Sequence, residues 1–402
     1  MRKARWVLPV IVLSQFCCTS LWFAGNGVMS DLLLTFNLNE SALSHLTSAV
    51  QFGFIAGTLV FAALTIADRF SPSRVFFLSA IAGSFFNLGT IIEGNSITTL
   101  LVFRFITGFF LAGIYPVGMK IASDYFNKGL GKSLGYLVGA LVVGTAFPHL
   151  LKDFTGHLPW RLVLILTSSI ATLGGMLMVI LVPDGPYMKT MQKSSLTNSI
   201  RVFENQKFRS AAFGYFGHMW ELYAFWAFVP AMLTTYMDLH QYTVFKIPQL
   251  SFYIIGLGGL ACVLGGYISQ NLGVKNIAFS ALLLSCICCI ISPIIFYIDS
   301  EELLIGFLIF WGLVVVADSP LFSTLVAKNV KPELRGTALT IVNCIGFSIT
   351  IISIQMINII RNYLDSRFIY MLLAIGPILG LIALLNKTKT REITTLESFN
   401  NV

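Results

Sequence analysis

The chain predicts an all-α membrane protein with twelve transmembrane helices in two six-helix bundles. Three observations carry this. Of its 402 residues, 56% are hydrophobic and only 11% are charged, and the mean hydropathy is +0.81. The apolar residues gather in runs close to the roughly 20 residues a helix needs to cross about 30 Å of hydrocarbon. The second half also repeats features of the first. Ala67-Asp68-Arg69-Phe70-Ser71-Pro72-Ser73-Arg74 separates two apolar runs, and the stretch from Gly266 to Lys275 sits at the same place in the second half. Asp68 aligns with Gln270, 202 residues on, and Leu130-Gly131-Lys132 is echoed by Leu334-Arg335-Gly336. A repeat of this kind decides the architecture before any single element does.

Twelve runs are expected, near residues 6–29, 44–66, 75–92, 97–121, 133–151, 160–182, 211–236, 250–270, 275–297, 303–326, 336–360 and 367–386. They must be helices, because lipid cannot satisfy unpaired backbone groups. A β-barrel would show alternating segments of about ten residues instead. The expected division is an N-terminal bundle over 1–183, a linker over 184–210, a C-terminal bundle over 211–388 and a tail over 389–402.

Position explains the net charge of +8. Of the 26 Lys and Arg, 20 fall at the two ends and in even-to-odd loops, five fall on the other face, and Arg104 lies within a run. This is the positive-inside pattern, so both termini and the linker around Lys193 are expected in the cytoplasm. The basic excess therefore sets topology and implies no nucleic-acid partner. Arg2-Lys3-Ala4-Arg5 before an apolar run mimics a secretory signal. The run is too long for one, and it is read as span 1. The seven cysteines all lie in apolar runs, and their odd count argues against a disulfide framework. Cys286-x-Cys288-Cys289 lacks a histidine or second cysteine pair to complete a metal site. No metal and no cofactor is expected.

The loop after run 2 resembles the signature of the major facilitator superfamily of secondary transporters, roughly Gly-x-x-x-Asp-Arg-x-Gly-Arg-Arg. Ala67-Asp68-Arg69 and Arg74 match, while Leu64, Ser71 and Ser73 depart from it. The second copy keeps Gly266, Gly273 and Lys275 but has Gln270 for the acid. The resemblance covers the whole chain. It implies that Asp68, with Arg69 and Arg74 nearby, holds helix ends together as a gate, against the start of span 11 near Gly336. Asp124 is expected to pair with an arginine there.

The remaining candidates follow in chain order. Span 1 carries Trp22 and Asn26 on one face, and the Asn26 amide suits either an interhelical hydrogen bond or substrate contact. Span 2 carries Gln51 with Gly53-x-x-x-Gly57, a close-packing pattern. In span 4, Arg104 sits about 10 Å below the surface, a costly depth unless it faces partners or water. Arg104 and Gly108 match the family's Arg-x-x-x-Gly motif, and a substrate or proton-linkage role stays open beside structural hydrogen bonding. Span 5 has Pro148 but lacks the Gly-Pro and Gly-Gly dipeptides of many drug-exporting relatives.

Span 7 is richest. Glu221 is expected about 15 Å deep, near the midplane, where an ionisable residue is a functional candidate by default. His218 lies one turn before it, and Tyr215, Tyr223 and Trp226 suit an aromatic cavity or a lipid face. In span 10, Asp318 precedes Ser319-Pro320 and suits proton coupling or a helix latch. Asn343, Gln355 and Asn358 of span 11 are expected in the interior.

A secondary transporter follows, moving a small-molecule substrate by rocking two bundles about a midplane site. Nothing resembles a nucleotide-binding loop, so an ion gradient is expected to drive it, with protons as the coupling ion. Arg104, the one deep cation, points to an anionic solute taken up across the plasma (inner) membrane by a monomer. Nitrate-type relatives carry arginines in spans 2 and 8, and neither span has one here. A proton-coupled exporter of drugs or metabolites is the alternative, and a non-transporting sensor with the same fold is another. A membrane enzyme would need clustered ligands or a nucleophile constellation, and the five histidines are scattered.

Overall fold

The computed structural model describes residues 4–126, 130–156, 158–187, 200–241, 244–331 and 334–385. Arg2, Lys3, Lys193 and the tail over 389–402 lie outside the described residues. Helices make up the fold, and no strand occurs among the described residues.

All twelve expected runs are helical. Eight are long and apolar enough to cross a membrane by length and composition, and Trp6–Thr19 and Ile369–Leu385 are shorter apolar helices. The other two are span 3, Pro72–Gly89, and span 7, Gln206–Leu239. Both are long enough but carry polar residues inside, Asn87 in one and His218 and Glu221 in the other. Large apolar side chains such as Phe85, Ile180, Leu264 and Ile294 point outward. So extensive an exposed apolar surface belongs against lipid.

Several spans are interrupted where the sequence led us to expect continuous helices. Span 1 runs over Ala4–Thr19, turns, and resumes as the short helix Ala24–Gly27. Span 2, Ala42–Ala63, ends before Thr65, which takes a left-handed conformation at φ 51°. Asp68 then sits on its own short turn, Ile66–Arg69. Span 4 divides into Ile97–Leu111 and Tyr115–Tyr125, and span 10 into Glu301–Ala317 and Ser319–Lys328. Pro116 and Pro320 each stand in the first turn of the second piece, where a missing N–H costs nothing. The two breaks are thus a structural form of the internal repeat.

The halves meet along two seams, span 2 against span 11 (Arg335–Ile360) and span 5 (Leu130–Thr155) against span 8 (Ile247–Leu272). At the second seam, a Cβ added to Gly139 would stand 2.8 Å from the Gly259 carbonyl, so the glycines set the approach. At the first, Gln355 donates to the Ser44 carbonyl at 3.1 Å and the Ser48 hydroxyl at 2.8 Å. Arg361 pairs with Glu40 at 3.3 Å near the same end. That end lies opposite Ala4 and Leu385.

Candidate functional site

Where the halves meet in the middle of the molecule there is a small cavity of about 20 Å³. Roughly 10–15 Å³ is needed for one water, so the space is nearly closed. Tyr215, Tyr223 and Trp226 of span 7 line it, with Phe347 of span 11. Tyr115 and Ser319 line it too, each opening the second piece of a broken span.

Around the cavity the rings form one connected set from both halves. Trp22 stacks on Tyr223 at 5.7 Å and on Phe347 at 5.6 Å, with interplanar angles of 30° and 25°. Phe54 meets Phe347 at 4.5 Å, and Tyr223 meets Trp226 edge-on at 5.1 Å. Flat rings at these separations attract each other by about 0.5–1.5 kcal/mol per pair beyond their area burial. The indole N–H groups of Trp22 and Trp226 are buried and have no hydrogen-bond partner. Both ends of the Gln51 amide, one turn from Phe54, are in the same condition. Buried donors usually find partners; of these groups Trp226 lines the cavity, and Trp22 packs on its lining residues Tyr223 and Phe347.

The charged candidates lie outside this lining. Arg104 is 1% exposed. It donates to the Leu21 carbonyl at 3.2 Å, to Asn87 Oδ1 at 3.2 Å, and to the Trp22 carbonyl. The two carbonyls flank the break in span 1. Asn26 donates to Thr47 Oγ1 at 2.9 Å, an interhelical bond between spans 1 and 2. Asn343 is half-buried one turn before Phe347, away from the cavity lining.

Glu221 and His218 leave the same helix in different directions. Glu221 is fully buried and accepts from Ser285 Oγ at 2.9 Å, Cys289 Sγ at 3.2 Å and Trp311 Nε1 at 2.6 Å. These donors belong to spans 9 and 10 of the same half. His218 faces Asp318, Nδ1 to Oδ1 at 2.8 Å, with both side chains 1% exposed. The two groups are each other's partner through a bent contact, and His218 Nε2 and Asp318 Oδ2 are buried with no other side-chain partner. The His218 ring also lies 6.0 Å from Tyr215, which lines the cavity.

On the face that carries Ala4 and Leu385, Asp68 pairs with Lys120 at 3.1 Å, and Lys120 reaches Asp124 at 3.3 Å. The expected arginine partner of Asp124 is thus a lysine one turn earlier on the same helix. Arg69 and Arg74 are exposed. The serines that depart from the family's loop have partners of their own. Ser71 donates to Asp184 Oδ1 at 2.6 Å and Ser73 to the Val182 carbonyl at 2.7 Å. Tyr125 donates to the Pro183 carbonyl. They tie the loop to the chain leaving span 6. Lys120 went unnoticed in the sequence because it counts as one more positive charge near a helix end. Because it joins both acids, Lys120→Ala and Asp68→Asn are expected to be non-additive. A double-mutant cycle on thermal unfolding should give a coupling of about 0.5–1 kcal/mol for this part-exposed pair. Fully additive effects would mean that the contact carries no energy.

Residues 11–354 match the model of the Major Facilitator Superfamily. The niacin transporter NiaP of Acinetobacter baylyi is 33% identical over 159 residues, 34% of this chain and 36% of that protein. The chain thus spans about a third of the length of this relative. Among solved structures, the human organic anion transporter MFSD10 (TETRAN) superposes with TM-score 0.75 at 12% identity, covering 95% of this chain and 99% of that one. A mutant of the nucleoside transporter NupG superposes with TM-score 0.70 at 14% identity, covering 95% and 98%.

Proposed function

The chain belongs to the Major Facilitator Superfamily, and we propose that it is a proton-coupled importer of a small, flat aromatic acid. It is a multi-pass membrane transporter, and the solute class, coupling and direction are the proposal. The carrying observation is the ring set around the central cavity, with two buried indole N–H groups that have no partner. A flat ring offers faces to Tyr223 and Phe347, and a carboxylate or ring nitrogen offers acceptors to the indoles. The anionic reading then moves from Arg104, three of whose N–H donors are engaged by span 1 and Asn87, to these neutral donors. Niacin, a pyridine carrying a carboxyl group, has the required form, and one relative bears its name.

The cavity is too small for such a ring as it stands. Ligand pockets commonly run to about 300 Å³ or more, so the rings must part as the halves rock about the two seams. Gln355 and Arg361 would release Ser44, Ser48 and Glu40 on one face during that motion.

The test is niacin flux into proteoliposomes of the full chain, with and without an imposed proton gradient. Gradient-driven accumulation is expected. Outward movement only would establish the exporter, and binding without flux a sensor. Tyr223→Ala removes one wall of the ring site. It should weaken niacin binding by about 2 kcal/mol, roughly 30-fold, in a protein that still folds. Unchanged affinity in that variant would place the ring elsewhere.

A further inference from the structure

We propose that the His218–Asp318 pair carries the coupling proton, while Glu221 keeps its own proton throughout the cycle and serves as a neutral brace. This rests on the proton-coupled transport reading above. It gives separate roles to two acids that the sequence singles out by depth alone.

The hydrogens around Glu221 can be counted. Ser285 has one hydroxyl hydrogen and two acceptors within reach, Glu221 Oε2 at 2.9 Å and the Leu282 carbonyl at 3.1 Å. With a proton on Oε2, the carboxyl donates to Ser285 Oγ and Ser285 donates to Leu282. Trp311 Nε1–H and Cys289 S–H both go to Oε1. Every hydrogen then has an acceptor and every carboxyl oxygen a partner. The ionised form would place a full charge among neutral donors, one of them a weak thiol. No ion pair involves Glu221 among the described residues. A buried charge without a counter-charge is costly. Nor does Glu221 line the cavity, although its neighbours Leu222 and Tyr223 do.

The other pair is built the opposite way. His218 and Asp318 approach to 2.8 Å through a bent Nδ1–Oδ1 contact, and the outer atoms Nε2 and Oδ2 are buried without a partner. Asp318 stands at the break in span 10, next to cavity-lining Ser319. His218 packs on cavity-lining Tyr215. A small rotation of span 7 against the second piece of span 10 brings Nδ1 and Oδ1 into line. The unmatched Nε2 and Oδ2 then take water as one compartment opens. One proton enters the pair from the open compartment through that water, which is left neutral, and the same proton leaves to the other compartment after the halves rock. The titratable groups around the pair are Glu221 and Tyr215 on its own span, Cys262 of span 8 and Cys344 of span 11. Among the described residues, His218 is the one basic side chain that acts on Asp318.

Infrared difference spectroscopy on the full-length protein, from mildly acidic to mildly alkaline pH, reads the two acids without any substrate. Glu221→Gln should remove a protonated-carboxyl absorption that persists at every pH. Asp318→Asn should remove the one that appears and disappears with pH. His218→Gln keeps the shape of the ring's nearer half and should displace the pH at which the Asp318 absorption changes, a second readout should Asp318→Asn fail to fold. A Glu221 absorption that titrates over this range overturns the assignment. In proteoliposomes with niacin, Asp318→Asn should lose gradient-driven accumulation by about tenfold or more while retaining exchange. Glu221→Gln should stay within about twofold of the parent, because its amide still accepts from Trp311 and donates to Ser285. Equal loss in both variants would make the acids a single unit and overturn the division of roles. A parent protein that moves no niacin would overturn the solute assignment and leave the infrared result standing.

Discussion

Arg104→Ala is expected to cost the protein its fold while sparing its affinity for substrate. The guanidinium closes the break in span 1 by donating to the carbonyls of Leu21 and Trp22, and it reaches span 3 through Asn87. These carbonyls lie just past the C-terminal end of Ala4–Thr19, where the helix dipole favours a cation. Removing the side chain leaves three buried acceptors. Each unmet group costs about 1–3 kcal/mol, so the total loss is about 3–9 kcal/mol, a large part of a typical domain's stability. Gly25 packs against the guanidinium, and its missing Cβ leaves the room, since an added one would stand 3.4 Å from Nε. Arg104→Lys keeps the charge but has no planar fork to span two carbonyls, so an intermediate loss is expected. Thermal unfolding in detergent, with niacin affinity measured on the folded fraction, separates the possibilities. Full stability with lost affinity would return Arg104 to the substrate site.

Most of the fold was legible because lipid imposes a length and an apolarity on every span. Those two requirements are visible residue by residue, even where polar side chains dilute spans 3 and 7. The interruptions were less visible. Pro320 marks the break in span 10, and Pro116 follows the one in span 4, but nothing between Ser20 and Phe23 breaks a helix by itself. That break is held open by Arg104, which is 82 residues from Trp22 in sequence. Depth picked out Glu221, His218 and Asp318, because buried polar groups are costly whatever they do. Their partners were not legible. Residues three apart on a helix differ by about 60° in direction, enough to send Glu221 toward span 9 and the first piece of span 10, and His218 toward Asp318 at the break in span 10. The ring set has the same origin. Trp22, Tyr223 and Phe347 come from three distant stretches, and only the seams between halves bring them together.

Gly53→Val and Gly108→Val are expected to prevent folding altogether, a larger effect than any change in the ring site. Spans 2 and 4 meet backbone to backbone at these residues. A Cβ on Gly53 would fall onto the Phe105 carbonyl oxygen and stand 2.8 Å from its carbon and 2.9 Å from the Phe109 nitrogen. A Cβ on Gly108 would fall onto the Val50 carbonyl oxygen and stand 2.8 Å from its carbon. A side chain can turn aside, but these are main-chain atoms of helices that must themselves move. Overpacking in a core costs about 1–3 kcal/mol when side chains yield, and more when a helix is displaced. Displacing span 2 would also strain the seam with span 11, where Gln355 reaches Ser44 and Ser48. Gly266 is the control, because nothing lies within 4 Å of its added Cβ. Gly266→Ala should leave stability unchanged or raise it by a few tenths of a kcal/mol up to about 1 kcal/mol, through helix propensity. The check is the yield of monodisperse protein after detergent extraction, followed by thermal unfolding. A folded Gly53→Val protein with ordinary stability would mean that spans 2 and 4 do not meet as closely as the glycines allow.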